Sequence, residues 1–277
     1  ALHDSVHVVD PPKCYLNTRV AIIQGVIDWA SGRDKEFGGK STWWIKGCAG
    51  TGKSAIARSV AEQSSDEGLL LGAFFFGATD PTRNHVGKLV ATLSSQISII
   101  LPQFRDAIST IVEDDPLIFD RSIGTQFSTL ITRPLSAILS NCSTTSGTSP
   151  GPCLIIIDGL DECSAVEGQQ DLLSMLHEAT NTTPLIRFLI CSRPESHLKG
   201  FFGSPRMIPI VRNIFLGNDY VASGDIRTYL EAKFKQIKDE HVFKHILPEA
   251  WPTPGMINIL VYRSSGQFIY AVTIVKY

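Results

Sequence analysis

The sequence has almost no surplus of either charge. Its 25 Lys and Arg stand against 27 Asp and Glu in 277 residues, a formal net charge of −2. Neutralising a phosphate backbone takes clustered cations, so bulk nucleic-acid binding is not expected. Long hydrophobic runs are missing too. The longest nearly uncharged apolar run, Gly68 to Ala78, falls short of the roughly 18 residues a membrane span requires, so no membrane partner is expected. The chain opens Ala1-Leu2-His3-Asp4, without the basic start and apolar core of a secretory leader. It lacks an initiator Met and ends in an apolar stretch, Ile269 to Tyr277, and so reads as a piece of a longer protein. Paired cysteine motifs are absent: Cys14, Cys48, Cys142, Cys153, Cys163 and Cys191 show no C-x-x-C spacing. Several sit in apolar runs, so buried, reduced thiols in a cytoplasmic protein are expected, not disulfides or zinc. No repeat of fixed period is visible.

What is present is core. The chain is 43% hydrophobic, enough for one large domain or a domain with a small helical partner. Residues 1–16 read as an extended lead-in, and Arg19 to Trp29 has helical spacing. Buried strands are expected at Trp43 to Ile45, Leu69 to Phe76, Cys153 to Ile157, Arg187 to Cys191 and Ile208 to Leu216. Helical segments separate them: Ser54 to Gln63, Val86 to Leu101, Phe104 to Val112, Phe127 to Leu139 and Gln169 to Ala179. Asn141 to Pro152, rich in Ser, Thr, Gly and Pro, reads as an exposed loop. Apolar strands alternating with helices imply an α/β fold, a parallel sheet covered on both faces. Beyond residue 220 only helices are expected: Asp225 to Lys238, Met256 to Val261, and Phe268 to the end. The expected organisation is a lead-in and helix at 1–40, an α/β domain at 41–218 and a helical domain at 219–277.

Gly47-Cys48-Ala49-Gly50-Thr51-Gly52-Lys53-Ser54 matches G-x-x-x-x-G-K-[ST]. Glycines let the backbone turn with its N–H groups around phosphate oxygens. The following helix, which begins at Ser54, aims its positive end at the same anion, and Gly47 to Ala55 are the candidate nucleotide-binding residues. Lys53 would neutralise the β and γ phosphates, and Ser54 would ligate Mg²⁺. The run Leu154 to Ile157 ends in Asp158-Gly159-Leu160-Asp161-Glu162. Asp158 at a strand end would hold Mg²⁺, directly or through water. Asp161 or Glu162 would polarise an attacking water; Asp161 is favoured, but the residues alone do not separate the two. Arg193, after the strand Phe188 to Cys191, would sense the γ-phosphate, since its charge distinguishes triphosphate from diphosphate. Arg83 is open between a phosphate-reaching finger and a surface cation. His241 and His245, spaced i, i+4, lack further ligands nearby and read as solvated.

These motifs, in this order, resemble the NACHT family of signal-transduction NTPases, closest to fungal receptors of the NOD-like type. The marks are Cys14 with Thr18-Arg19; Asp28-Trp29-Ala30; Trp44-Ile45-Lys46-Gly47; Asp158-Gly159-Leu160-Asp161-Glu162-Cys163; Ser192-Arg193-Pro194-Glu195; Asp225-Ile226; and Gly266-Gln267-Phe268-Ile269-Tyr270-Ala271. The resemblance implies a five-stranded parallel sheet in the order 5-1-4-3-2, with the sensor strand between the two Walker strands. It implies a short helical domain closing over the nucleotide, slow hydrolysis of ATP (GTP stays open), and exchange of ADP for ATP driving homo-oligomerisation. It also implies effector and repeat domains elsewhere in the full-length protein. Relatives often carry Gly-x-Pro where this chain has Gly266-Gln267-Phe268. Two other readings stand beside the switch: a turnover P-loop ATPase or kinase, and a non-hydrolysing module that nucleotide stabilises.

Overall fold

A computed structural model describes residues 13–138, 153–217, 220–242 and 244–276. The expected loop at Asn141 to Pro152 lies outside them, as does most of the expected lead-in. The strands are β1 (Thr42–Gly47), β2 (Leu70–Phe75), β3 (Cys153–Asp158), β4 (Ile186–Ser192) and β5 (Val211–Leu216). They form one sheet of five strands in the order β2-β3-β4-β1-β5, every pair parallel. Read from the other edge, this is the expected 5-1-4-3-2. The fold is that of a P-loop NTPase, with β4 inserted between β1 and β3.

β1 to β4 read as largely apolar runs because both faces are covered. Their side chains still alternate. Trp44, Phe74, Ile155, Ile157, Phe188 and Ile190 face one layer. It is built by α3 (Leu89–Ile100), α4 (Pro102–Asp114), α5 (Ile123–Phe127), α6 (Val166–Thr182) and α7 (Ser196–Phe202). Trp43, Ile45, Ala73, Phe75, Ile156 and Leu189 face the other, against α1 (Val20–Ala30) and α2 (Lys53–Asp66). From Tyr220 the described chain is helical: α8 (Tyr220–Glu240), a short 3₁₀ turn, α9 (Pro254–Ser264) and α10 (Phe268–Lys276). A separate cluster of Ile226, Tyr229, Leu230, Ile257 and Ala271 holds these helices, with Tyr15 and Phe268 packed against it.

Three expectations change. The fifth strand starts at Val211, not Ile208, because residues 207–210 turn, with Ile210 N–H and Val211 N–H both donating to Met207 O. Pro209 has no N–H to give a ladder. β5 is also not wholly buried: it is an edge strand, and Phe215 is 57% exposed. The helix expected from Phe127 begins at Ile123 and passes through a π turn, Ser128–Thr132, before helical residues 133–138. The wider turn lies just before Pro134, whose ring would otherwise meet the carbonyl four residues back. His241 and His245 do not share a helix: His241 follows α8, and His245 sits in the 3₁₀ turn Lys244–Ile246.

Candidate nucleotide site

Parallel pairing brings the carboxyl ends of β1, β3 and β4 to one edge. Asp158 lies opposite Cys191, and Lys46 opposite Ser192. The crevice beyond that edge is where α/β sheets bind ligands. Trp44 Nε1 donates to Ser192 Oγ at 2.8 Å, and Gly159 N–H donates to Cys191 O at 2.9 Å. These bonds fix the ends of β4 and β3 relative to β1.

The phosphate loop joins β1 to α2. Gly52, at φ 93°, precedes the first helical residue, Lys53. A Cβ on Gly47 would lie 2.8 Å from Thr51 Oγ1 and 3.0 Å from Leu216 O, so only glycine lets the loop close this tightly. Lys53 Nζ donates to Gly47 O at 2.8 Å and to Cys48 O at 2.9 Å. Burial lowers its pKa, while Asp161 and Asp158 oppose the shift. Cys48 is exposed on the loop, unlike the buried Cys163 and Cys191; all three, and the half-buried Cys14, are free thiols. The buried-thiol expectation therefore fails at Cys48, because the residue lies in the loop rather than in β1. Cys142 lies outside the described residues.

Ser54 hydrogen-bonds Asp158, which is 4% exposed. Burial pushes the Asp158 carboxyl up to about 6, opposed by the Ser54 bond and the Arg58 guanidinium. Its Oδ1 is buried without a hydrogen-bond partner. One hydroxyl and one carboxylate with an unused oxygen suit Mg²⁺, a hard ion that takes its remaining ligands from phosphate and water. Among the described residues no group of three or more His, Cys, Asp or Glu is placed to hold a metal unaided.

Asp161 and Glu162 share a 3₁₀ turn, Leu160–Glu162, yet have different partners. Asp161 Oδ1 accepts from Arg193 N–H at 2.8 Å, and Oδ2 lies 3.3 Å from Arg193 Nε. Glu162 Oε2 accepts from Ala78 N–H at 3.0 Å. A cavity of about 320 Å³ is lined by Lys53, Ser54, Asp158, Asp161, Glu162 and Arg193 at its polar end. Ala49, Gly50, Gly52 and Ala55 also line it, whereas Gly47, Cys48 and Thr51 of the same loop do not. The rest of its lining mixes Tyr15, Tyr229, Phe268 and Val272 with the polar Lys13, Thr18 and Arg19. The sequence carries no portable signal for Tyr15 or Tyr229; Phe268 and Arg19, which also lines the cavity, appear in it only as family marks. Arg83 stands outside this lining, paired to Asp80 at 2.7 Å.

The family described as Nephrocystin 3, N-terminal matches residues 24–193, a span holding the phosphate loop, Asp158 and Arg193. The chain belongs to this family. Solved structures add fold likeness alone. The Walker-type ATPase of Pyrococcus abyssi is 15% identical at TM-score 0.53, covering 96% of this chain and 74% of that one. The Aeropyrum pernix ORC2 protein in ADPNP–ADP complexes is 17% identical at TM-score 0.41, covering 82% and 53%. AMPPCP-bound DnaA from Aquifex aeolicus is 11% identical at TM-score 0.42, covering 93% and 59%. A search of the curated proteins finds no match.

Proposed function

We propose that the chain is a nucleotide-operated switch of the NACHT type, binding ATP or ADP with Mg²⁺ and hydrolysing the triphosphate slowly. The observation that carries this is the Ser54–Asp158 pair, with an unused buried carboxylate oxygen, at the mouth of the phosphate loop. Mg²⁺ bound there supplies charge neutralisation of the β and γ phosphates. Lys53 adds a second positive charge to the same oxygens. Asp161 holds the Arg193 guanidinium at the cavity wall, where Arg193 would act as the γ-phosphate sensor. Both Asp161 oxygens are engaged with Arg193. We therefore assign the water-orienting role to Glu162 and a positioning role to Asp161, reversing the preference drawn from the residues alone. The aromatic mouth formed by Tyr15, Tyr229 and Phe268 suits a nucleobase. Homo-oligomerisation on ATP binding, effector and repeat partners, and ATP over GTP rest on the NACHT resemblance.

The test is calorimetric binding of ADP and ATP with Mg²⁺ to the parent and to Lys53→Ala. Binding by the parent and its loss in the variant are expected. Equal affinity removes the phosphate-loop assignment. Hydrolysis slower than about one turnover per minute separates a switch from a turnover enzyme, for which about 1 s⁻¹ or more is usual.

A further inference from the structure

Arg19 stands where the lead-in, the phosphate loop and the C-terminal helices meet, and the phosphate chemistry above does not use it. Its backbone is left-handed, at φ 57°, an uncommon state for a side-chain-bearing residue. That state aims its N–H at Asp225 Oδ2 of α8, 3.2 Å away. The side chain is 3% exposed. Nη2 donates to Thr51 O in the phosphate loop at 3.3 Å. Nε has no hydrogen-bond partner and lies 3.8 Å from Asp225 Oδ2. The guanidinium carbon is 5.1 Å from the centre of the Phe268 ring, at the start of α10.

A second contact is made beside it. Ile269 N–H donates to Gly50 O at 3.1 Å. A Cβ on Gly50 would lie 2.2 Å from Ile269 Cγ2. Gly50 is thus a notch for α10 as well as a turn residue at φ 77°. In such a loop the N–H groups that meet an anion point inward, and carbonyls point away. Here two adjacent carbonyls, Gly50 O and Thr51 O, are held by α10 and by Arg19.

We propose that Arg19 is a positioning residue that ties the phosphate loop, α8 and α10 into one unit, so that nucleotide binding and docking of the C-terminal helices strengthen each other. This rests on the nucleotide-binding reading above. Phosphate selects the loop conformation with converging N–H groups, and that conformation presents the Gly50 and Thr51 carbonyls to Ile269 and Arg19. A preference shared by two sites is reciprocal: each favours the other by the same factor.

The test combines ADP affinity with amide hydrogen exchange, with and without Mg²⁺–ADP. In the parent, nucleotide slows exchange both in the phosphate loop and at 254–276. Arg19→Ala weakens ADP by about tenfold, within the usual range of such couplings, and loses the slowing at 254–276 while keeping it in the loop. Ile269→Pro removes the donor to Gly50 O at a first-turn position that tolerates proline. It has the same effect and carries the test if Arg19→Ala does not fold. Slowing in the parent's loop with none at 254–276 overturns the proposal. So does a variant with lowered nucleotide-free stability but parent affinity and parent exchange response, the mark of a merely structural arginine. A parent that binds no nucleotide overturns the functional reading, and this proposal with it.

Discussion

Asp158 is a carboxylate kept in the wrong solvent. Its ordinary value is 3.8 and burial raises it to about 6. Between those values the folded chain holds a proton that the unfolded chain has released. Stability contributed by this group is therefore highest below about pH 4, falls as pH rises toward 6, and stays low above it. The difference is about 3 kcal/mol for a shift of this size. Asp158→Asn should remove that slope and raise the stability of nucleotide-free protein at pH 7, as urea titrations at several pH values will show; a parallel pH dependence in parent and variant contradicts it. Arg193→Ala should reduce the ATP-to-ADP affinity ratio while leaving ADP binding within about twofold, since the lost cation is assigned to the γ-phosphate that ADP lacks. Asp161→Asn should move the ratio the same way by releasing Arg193. Glu162→Gln should instead suppress hydrolysis with both affinities retained. If Asp161→Asn alone stops turnover and leaves the ratio intact, the roles assigned to the two acids are exchanged.

At the scale of elements, the sheet has two edges treated differently. On β2, at one edge, the backbone of Ala73 is paired by a side chain: the Gln96 amide, on α3, accepts from Ala73 N–H and donates to Ala73 O, both at 2.9 Å. It stands in for a neighbouring strand, and unpaired edges invite association. Gln96→Ala should cost about 1–2 kcal/mol, from two lost hydrogen bonds that leave a buried backbone group unpaired. Urea midpoints measure the loss, and light scattering on warming should show earlier aggregation. Unchanged values in both would mean that the amide is decoration. The central strands are sensitive in a different way. Ile156 is fully buried, and Ile156→Ala should cost about 2–5 kcal/mol through lost burial and a residual cavity.

At the scale of the whole molecule, the cavity proposed for nucleotide is walled by parts distant in sequence: the lead-in at Tyr15, the phosphate loop, the ends of β3 and β4, and α8 with α10. A ligand that binds only when these are assembled stabilises all of them. ADP with Mg²⁺ at a hundred times its Kd should add about 2.7 kcal/mol to folding. Differential scanning calorimetry should show a raised transition in the parent and none in Lys53→Ala. A ligand-induced shift retained in that variant would place the nucleotide elsewhere.

The P-loop fold and the polar half of the site were legible from residues alone, because their chemistry is local. A phosphate loop needs its glycines, lysine and serine in one short run, and a buried strand ending in Asp158 declares both its burial and its charge. Tertiary structure decided the rest. Asp161 and Glu162 are neighbours in sequence, and only the placement of β4 and of the turn after β2 gives them different partners. The aromatic mouth draws Tyr15, Tyr229 and Phe268 from three distant segments with no shared spacing. Gly50 looks like one more turn glycine until Ile269 is seen against it. Local pattern specifies what a segment is; which segments meet is decided by the packing of cores, and there the sequence pattern carries no separate mark.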